Sequence, residues 1–386
     1  MKYLKIEENI LKKKGAQLTA QEIVQQPRIW NDIYNLILNN KDKLQLFLEE
    51  AYQEVDSIIL TGAGSSSFIG TSLSGTFFKN SGLNTKAVAT TDLVTHPDNY
   101  FNKRKSILII SFARSGSSPE SCAALELADE MSAKCFHLII TCNSQGDITL
   151  FKTNNRKFLL LLPSESNDQS LAMTSSYTGM LLVGTLVARI KDFQSVYSQV
   201  NLLCEYGERI LQSYLPLIKS VAKKDFKRVV FLGSGALYGA AMESHLKIQE
   251  LTDGKVICKY DTFLGFRHGP KSVIDETTLL VYLFSNIGYV NKYEKDLVES
   301  MKKGRKPLLE IGIVEHSEFN PGVEIPIIFS DNEERLEESF MAICTVLPAQ
   351  ILAFFKSLDL GLEPDSPSAS GAISRVVEGV SIYSLT

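Results

Sequence analysis

The chain has 386 residues, 44% of them hydrophobic and 22% charged, with a formal net charge of −4. That composition is globular and excludes a disordered chain, and the length calls for two domains around separate cores. A weakly acidic chain offers no basic field to nucleic acid or to an anionic membrane surface, so neither is expected as a partner, and an anionic ligand needs a locally built site.

The first 45 residues read as an N-terminal helical arm. Charged Met1–Glu8 lacks the apolar run of a leader. After Pro27, an amphipathic run from Ile29 to Tyr52 repeats Ile33, Leu36, Ile37, Leu44, Phe47 and Leu48 at helical spacing. Such an arm packs on a domain or on another subunit.

Short apolar runs then alternate with helices. Ser57–Thr61, Ala87–Thr90, Ile107–Ser111, Phe136–Thr141 and Phe158–Leu162 read as strands, and an apolar helix covers Thr174–Ile190. Strands that are apolar throughout belong to a parallel sheet covered on both faces. The residues that follow these strands carry the chemistry. Gly62-Ala63-Gly64-Ser65-Ser66-Ser67 follows the first. Its glycines admit close backbone approach, and the helix behind it offers free N–H groups to an anion. A dinucleotide turn is the alternative, but its third glycine would fall at Ser67; a P-loop would need Gly-Lys-Ser/Thr. The third strand leads into Arg114-Ser115-Gly116-Ser117-Ser118-Pro119. Helix capping by Ser117 or Ser118 accounts for one serine and leaves a cluster suited to phosphate. Asn143 in the next loop belongs to a plain turn or to a further polar wall, and Thr174 and Ser175 open the apolar helix, Thr174 either as a cap or in a helix start that offers donors to sugar oxygens.

The same order recurs downstream. Val229–Leu232 precedes Gly233-Ser234-Gly235; Leu279–Phe284, Leu308–Val314 and Val323–Phe329 follow as strands, and a helix from Arg335 to Lys356 closes the series. The expectation is α/β: two tandem doubly wound parallel-sheet domains, 46–205 and 206–386, the second with a C-terminal tail. The second copy has lost the hydroxyl cluster. Its first helix instead places Glu243, Lys247 and Glu250 on one face, which is either a solvated salt-bridged stripe or an acid–base set. His268 sits in a Gly-Pro turn, Phe266–Lys271. Six cysteines without a CxxC pair read as reduced, buried thiols of a cytoplasmic protein. No uninterrupted apolar stretch reaches the ~18 residues of a membrane span, and the five histidines form no recognisable metal set.

These motifs resemble the sugar isomerase (SIS) domains of aldose–ketose phosphosugar enzymes, which include the isomerase half of glucosamine-6-phosphate synthase. The family's Ser-x-Ser-Gly-x-Ser/Thr phosphate loop matches 113–118, its Glu-x-x-x-Lys-x-x-Glu helix matches Glu243–Glu250, and its His-Gly-Pro matches His268–Pro270. Thr90–Thr95, Ser170–Ser176 and Ser368–Gly371 are similar to the branch of tagatose-6-phosphate ketose/aldose isomerases and galactosamine-6-phosphate deaminases. Two positions depart from the wider pattern: Ala113 replaces the first serine, and Arg375 lies near the place of the synthase's lysine.

The resemblance implies a flavodoxin-like fold and a phosphosugar substrate held by Gly64, Ser65, Ser66, Arg114, Ser115, Ser118, Asn143, Thr174 and Ser175. It implies catalysis by Glu250 and His268 supported by Glu243 and Lys247, no metal or cofactor, and a homodimer whose subunits share sites through a histidine. The expected reaction is deamination of an amino-aldose 6-phosphate. Isomerisation without loss of nitrogen, action on glucosamine 6-phosphate, and a non-catalytic phosphosugar sensor stand as alternatives.

Overall fold

The fold is described from a computed structural model, over residues 1–377 and 379–384. The amphipathic run forms one helix, α1 (Gln26–Glu54), which continues past the expected end of the arm at residue 45. Ile33, Ile37, Leu44, Phe47 and Leu48 are buried, and Phe47 meets Phe136 and Phe158 at ring-centroid distances of 6.0 and 5.6 Å. The arm therefore packs on the first sheet.

That sheet contains β1 (Ser57–Gly62), β2 (Asn84–Ala89), β3 (Ser106–Ala113), β4 (Lys134–Thr141) and β5 (Arg156–Leu161). All pairs are parallel and the order is β2-β1-β3-β4-β5. The central strands β1, β3 and β4 are buried at nearly every position, as expected of a sheet with helices on both faces; the edges β2 and β5 are largely exposed. The helices α2 (Ser65–Ser81), α3 (Pro119–Met131) and α4 (Ser175–Ala188) belong with this sheet. Thr90, read as the end of β2, instead opens a short helix, Thr90–Thr95.

The second sheet contains β6 (Arg228–Leu232), β7 (Ile257–Asp261), β8 (Thr278–Leu283), β9 (Leu309–His316) and β10 (Ile325–Ser330), in the order β10-β9-β8-β6-β7. Read from its other edge, this is the strand order of the first sheet. β7 escaped the sequence reading because Ile-Cys-Lys-Tyr-Asp has no apolar run; it is an edge strand with no fully buried residue. Its helices include α5 (Ala236–Leu251), α6 (Gly288–Met301), α7 (Glu338–Cys344) and α8 (Leu347–Asp359). The single helix expected over 335–356 is thus two, divided before Leu347-Pro348. Glu338–Asp359, which the sequence reading did not single out, is long and apolar enough to cross a membrane, but 94% of its most apolar 18 residues are buried within the protein, as in a core helix.

The chain divides into two compact units that are discontinuous in sequence. The first-sheet unit comprises Arg28–Asp168, Ser175–Tyr197 and Ile373–Thr386; the second-sheet unit comprises Met1–Pro27, Gln169–Thr174 and Ser198–Ala372. Each sheet has its own apolar core, around Ile109, Leu125 and Ile139 in one and around Phe263, Tyr282 and Leu297 in the other. All six cysteines are free thiols; Cys135, Cys142 and Cys344 are buried.

Candidate functional site

In the first-sheet unit, β1 and β3 are neighbours and deliver their loops to the same carboxyl edge. β1 turns into α2 through Gly64, whose φ of 54° and ψ of −128° suit glycine alone. The Ser66 N–H donates to the Ala63 carbonyl and the Ser67 N–H to the Gly64 carbonyl, closing the turn. Ser65 and Ser66 open α2 and are buried, at the helix end whose N–H groups and dipole attract anions.

β3 gives way to Arg114–Ser118. Gly116 has φ 68°, and a Cβ there would lie 2.9 Å from Ile148 Cγ2 and 3.2 Å from Gly146 Cα. The loop after β4 braces it: Asn143 Nδ2 donates to the Ser115 carbonyl at 2.8 Å, and the Ile148 N–H to the Gly116 carbonyl at 2.8 Å. Asn143, expected as a ligand, thus holds the serine loop in shape. Ser118 occupies the N-cap position of α3 without making a side-chain cap bond, and Ser117 Oγ accepts from the Asp147 N–H. Capping therefore does not account for these serines.

Arg114 is buried and donates through Nη2 to the Arg375 carbonyl. Arg375 in turn donates to the Asp168 carbonyl at 2.7 Å and to Asn167 Oδ1 at 2.8 Å. The buried Asp168 carboxylate accepts from the N–H groups of Ser175 (3.0 Å) and Ser176 (2.9 Å), capping α4. Ser175 is thereby tied to the C-terminal tail. Thr174 is buried and belongs to the second-sheet unit. Sequence reasoning missed Asp168 because a cap seven residues before its helix leaves no local signature, and it gave Arg375 no structural role.

In the second-sheet unit, α5 carries the acid–base set. Glu243 and Lys247 are fully buried, and Lys247 Nζ lies 3.2 Å from Glu243 Oε1 and 2.6 Å from Glu250 Oε2. Glu250 reaches the surface, with 22% of its side chain exposed. This is no solvated stripe. Burial opposes the charge on Lys247, but the two carboxylates outweigh it and hold its pKa above the ordinary lysine value. His268 is exposed in the turn between Phe263–Phe266 and Gly269–Val273. Among the described residues no hydrogen bond or ion pair joins it to Glu250.

One histidine does lie in a cluster with metal-ligand atoms, which the sequence did not reveal. Asp129, Cys135 and His137 bring such atoms within 4.8 Å of one another. The Asp129 carboxylate accepts from Thr153 and Asn155 and lies 2.6 Å from His137 Nε2, so protein groups already engage it.

The SIS domain family matches residues 51–189, which take in the first sheet and its loops. The D-galactosamine-6-phosphate deaminase AgaS of Escherichia coli is 39% identical over 368 residues, covering 95% of each chain. That of Shewanella sp. (strain ANA-3) is 36% identical over 374 residues, covering 96% of this chain and 92% of its own. Among solved structures, the tagatose-6-phosphate ketose/aldose isomerase from Escherichia coli is similar with a TM-score of 0.84 and 37% identity, over 95% of this chain and 96% of its own. Likeness of this extent, with the serine loops and the Glu-Lys-Glu helix in place, means that the chain belongs to the SIS domain family, in the branch of the AgaS deaminases.

Proposed function

We propose that the protein converts D-galactosamine 6-phosphate to tagatose 6-phosphate and ammonia. The observation that carries the chemistry is Glu250, an acid held by a buried Lys247–Glu243 pair with its own side chain open to the surface. The substrate comes from the 36–39% identical AgaS relatives.

Gly64, Ser65, Ser66, Ser115 and Ser118, with the N-terminus of α2, hold the phosphate, and Arg114 and Asn143 shape their loop. His268 opens the pyranose by moving a proton from the anomeric hydroxyl to the ring oxygen. Glu250 removes the proton from C2 of the open aldehyde, leaving an enolamine, and returns it to C1. The product is a ketimine at C2; water adds there, and ammonia leaves to give the ketone. Each step is a proton transfer or a hydrolysis, so no electron carrier enters the balance. The working form is a cytoplasmic homodimer in which the exposed His268 serves the neighbouring subunit.

The test is ammonia release from galactosamine, glucosamine and fructosamine 6-phosphates. Galactosamine 6-phosphate is expected to be the best substrate. Glu250→Gln should lose ~10²–10⁴-fold in turnover, the usual worth of a placed general base, while still binding phosphosugar; full activity in that variant would overturn the assignment. Isomerisation without nitrogen loss is the second reading, favoured by the name of the similar Escherichia coli isomerase. It would show as ketose formation from an aldose 6-phosphate with no ammonia released from any amino sugar.

A further inference from the structure

The second-sheet unit repeats the backbone of the serine cradle but not its chemistry. Gly235, before α5, has φ 59° and ψ −130°, within a few degrees of Gly64 before α2. The Leu237 N–H donates to the Ser234 carbonyl and the Tyr238 N–H to the Gly235 carbonyl, the bonds that Ser66 and Ser67 make in the first turn. Strand register extends the match. Ser57 of β1 faces Ile107 of β3, and Arg228 of β6 faces Thr278 of β8. Counting on from these pairs, Ser285 stands where Arg114 does and Asn286 where Ser115 does.

The donors of this second turn are taken by the chain's own acids. Glu338 accepts from the Ala236 N–H, the first of α5, and from the Ser285 hydroxyl. Its carboxylate fills the space over the turn, since a Cβ on Gly235 would lie 2.9 Å from Glu338 Oε2. The Ser285 N–H goes to Glu294, 3.1 and 3.2 Å from its two oxygens, and Asn286 Nδ2 donates to Glu315 Oε2 at 2.7 Å. Glu294 and Glu315 are buried. Among the described residues, none of these three carboxylates is in an ion pair. Their partners are backbone, hydroxyl and amide donors, the groups that hold a phosphate where no cation does. Glu338 is the first residue of α7, as Ser175 is of α4. A neutral residue opens one helix and an anion opens the other.

We propose that the second turn is an anion cradle closed from within: Glu338 stands where a phosphate would, so each chain offers one phosphosugar site, and removing that carboxylate opens a second. The comparison rests on the serine loops being the phosphate site of the first sheet, so the test is made with that site silenced. Ser115→Ala and Ser115→Ala/Glu338→Ala proteins are melted in rising inorganic phosphate, against chloride at equal ionic strength.

The double variant should gain a melting-temperature rise that grows with phosphate and is absent with chloride, and Ser115→Ala alone should not respond. A folded double variant whose response matches that of Ser115→Ala overturns the proposal. If Ser115→Ala still responds, the serine-loop reading fails, and the difference between the two variants still decides this one. Should the double variant unfold, phosphate in the refolding buffer is expected to restore it, because an external anion replaces the internal one. No recovery with phosphate would sink the idea.

Discussion

Burial pushes the Glu294 carboxyl up to about 7, with nearby Glu338 adding to the effect, against bonds from Asn291 and Ser285 that favour the charged form. The folded chain therefore holds this proton more tightly than the unfolded chain, where the value is 4.5. Its stabilising effect is full below pH 4.5 and is lost as pH rises through about 7, a swing on the order of 3 kcal/mol. Glu294→Gln should flatten the fall in melting temperature between those pH values; an unchanged slope by calorimetry would refute the protonation argument. Lys247 makes a second case at the same scale. Lys247→Met leaves Glu243 buried beside no cation, and loss of one partner of a buried pair costs about 3–5 kcal/mol. Urea unfolding at pH 7 measures it, and a cost below about 1 kcal/mol would mean that the pair is dispensable. Gly116→Ala combines a positive φ with a close approach to Ile148, so it should cost about 1–3 kcal/mol and raise KM for the phosphosugar more than it lowers kcat.

Among elements, the strands show best what a single sequence can reveal. β1, β3, β4, β6 and β8 are apolar runs because both faces are covered, and the run itself announces the strand. β7 lies at an edge, needs no apolar run, and gave no signal. The helix pair α7 and α8 reads as one in the sequence because the buried stretch, residues 339–357, runs unbroken across the division. Helix α4 is capped from a distance by Asp168, so Asp168→Ala should cost about 0.5–2 kcal/mol, seen as a lower melting temperature. An unshifted transition would show that the cap is replaced by other acceptors or by water.

At the scale of the whole molecule, the proposed sharing of His268 between subunits has a direct test. Ser115→Ala and His268→Ala proteins are each expected to be inactive. Random re-association of the two as homodimers restores one intact site in each mixed dimer, and so about a quarter of native activity. No recovery from folded, mixed dimers would place His268 at the site of its own chain.

By itself the sequence determined the two parallel sheets, the glycine turns and the face shared by Glu243, Lys247 and Glu250, because periodicity, positive φ and helical spacing are local properties. Tertiary structure alone decided that Glu243 and Lys247 are buried while Glu250 reaches the surface, that Asn143 braces Ser115, and that Glu338 occupies the second turn. Those facts depend on which distant segment supplies the partner, and close packing selects partners without marking them in the neighbouring sequence.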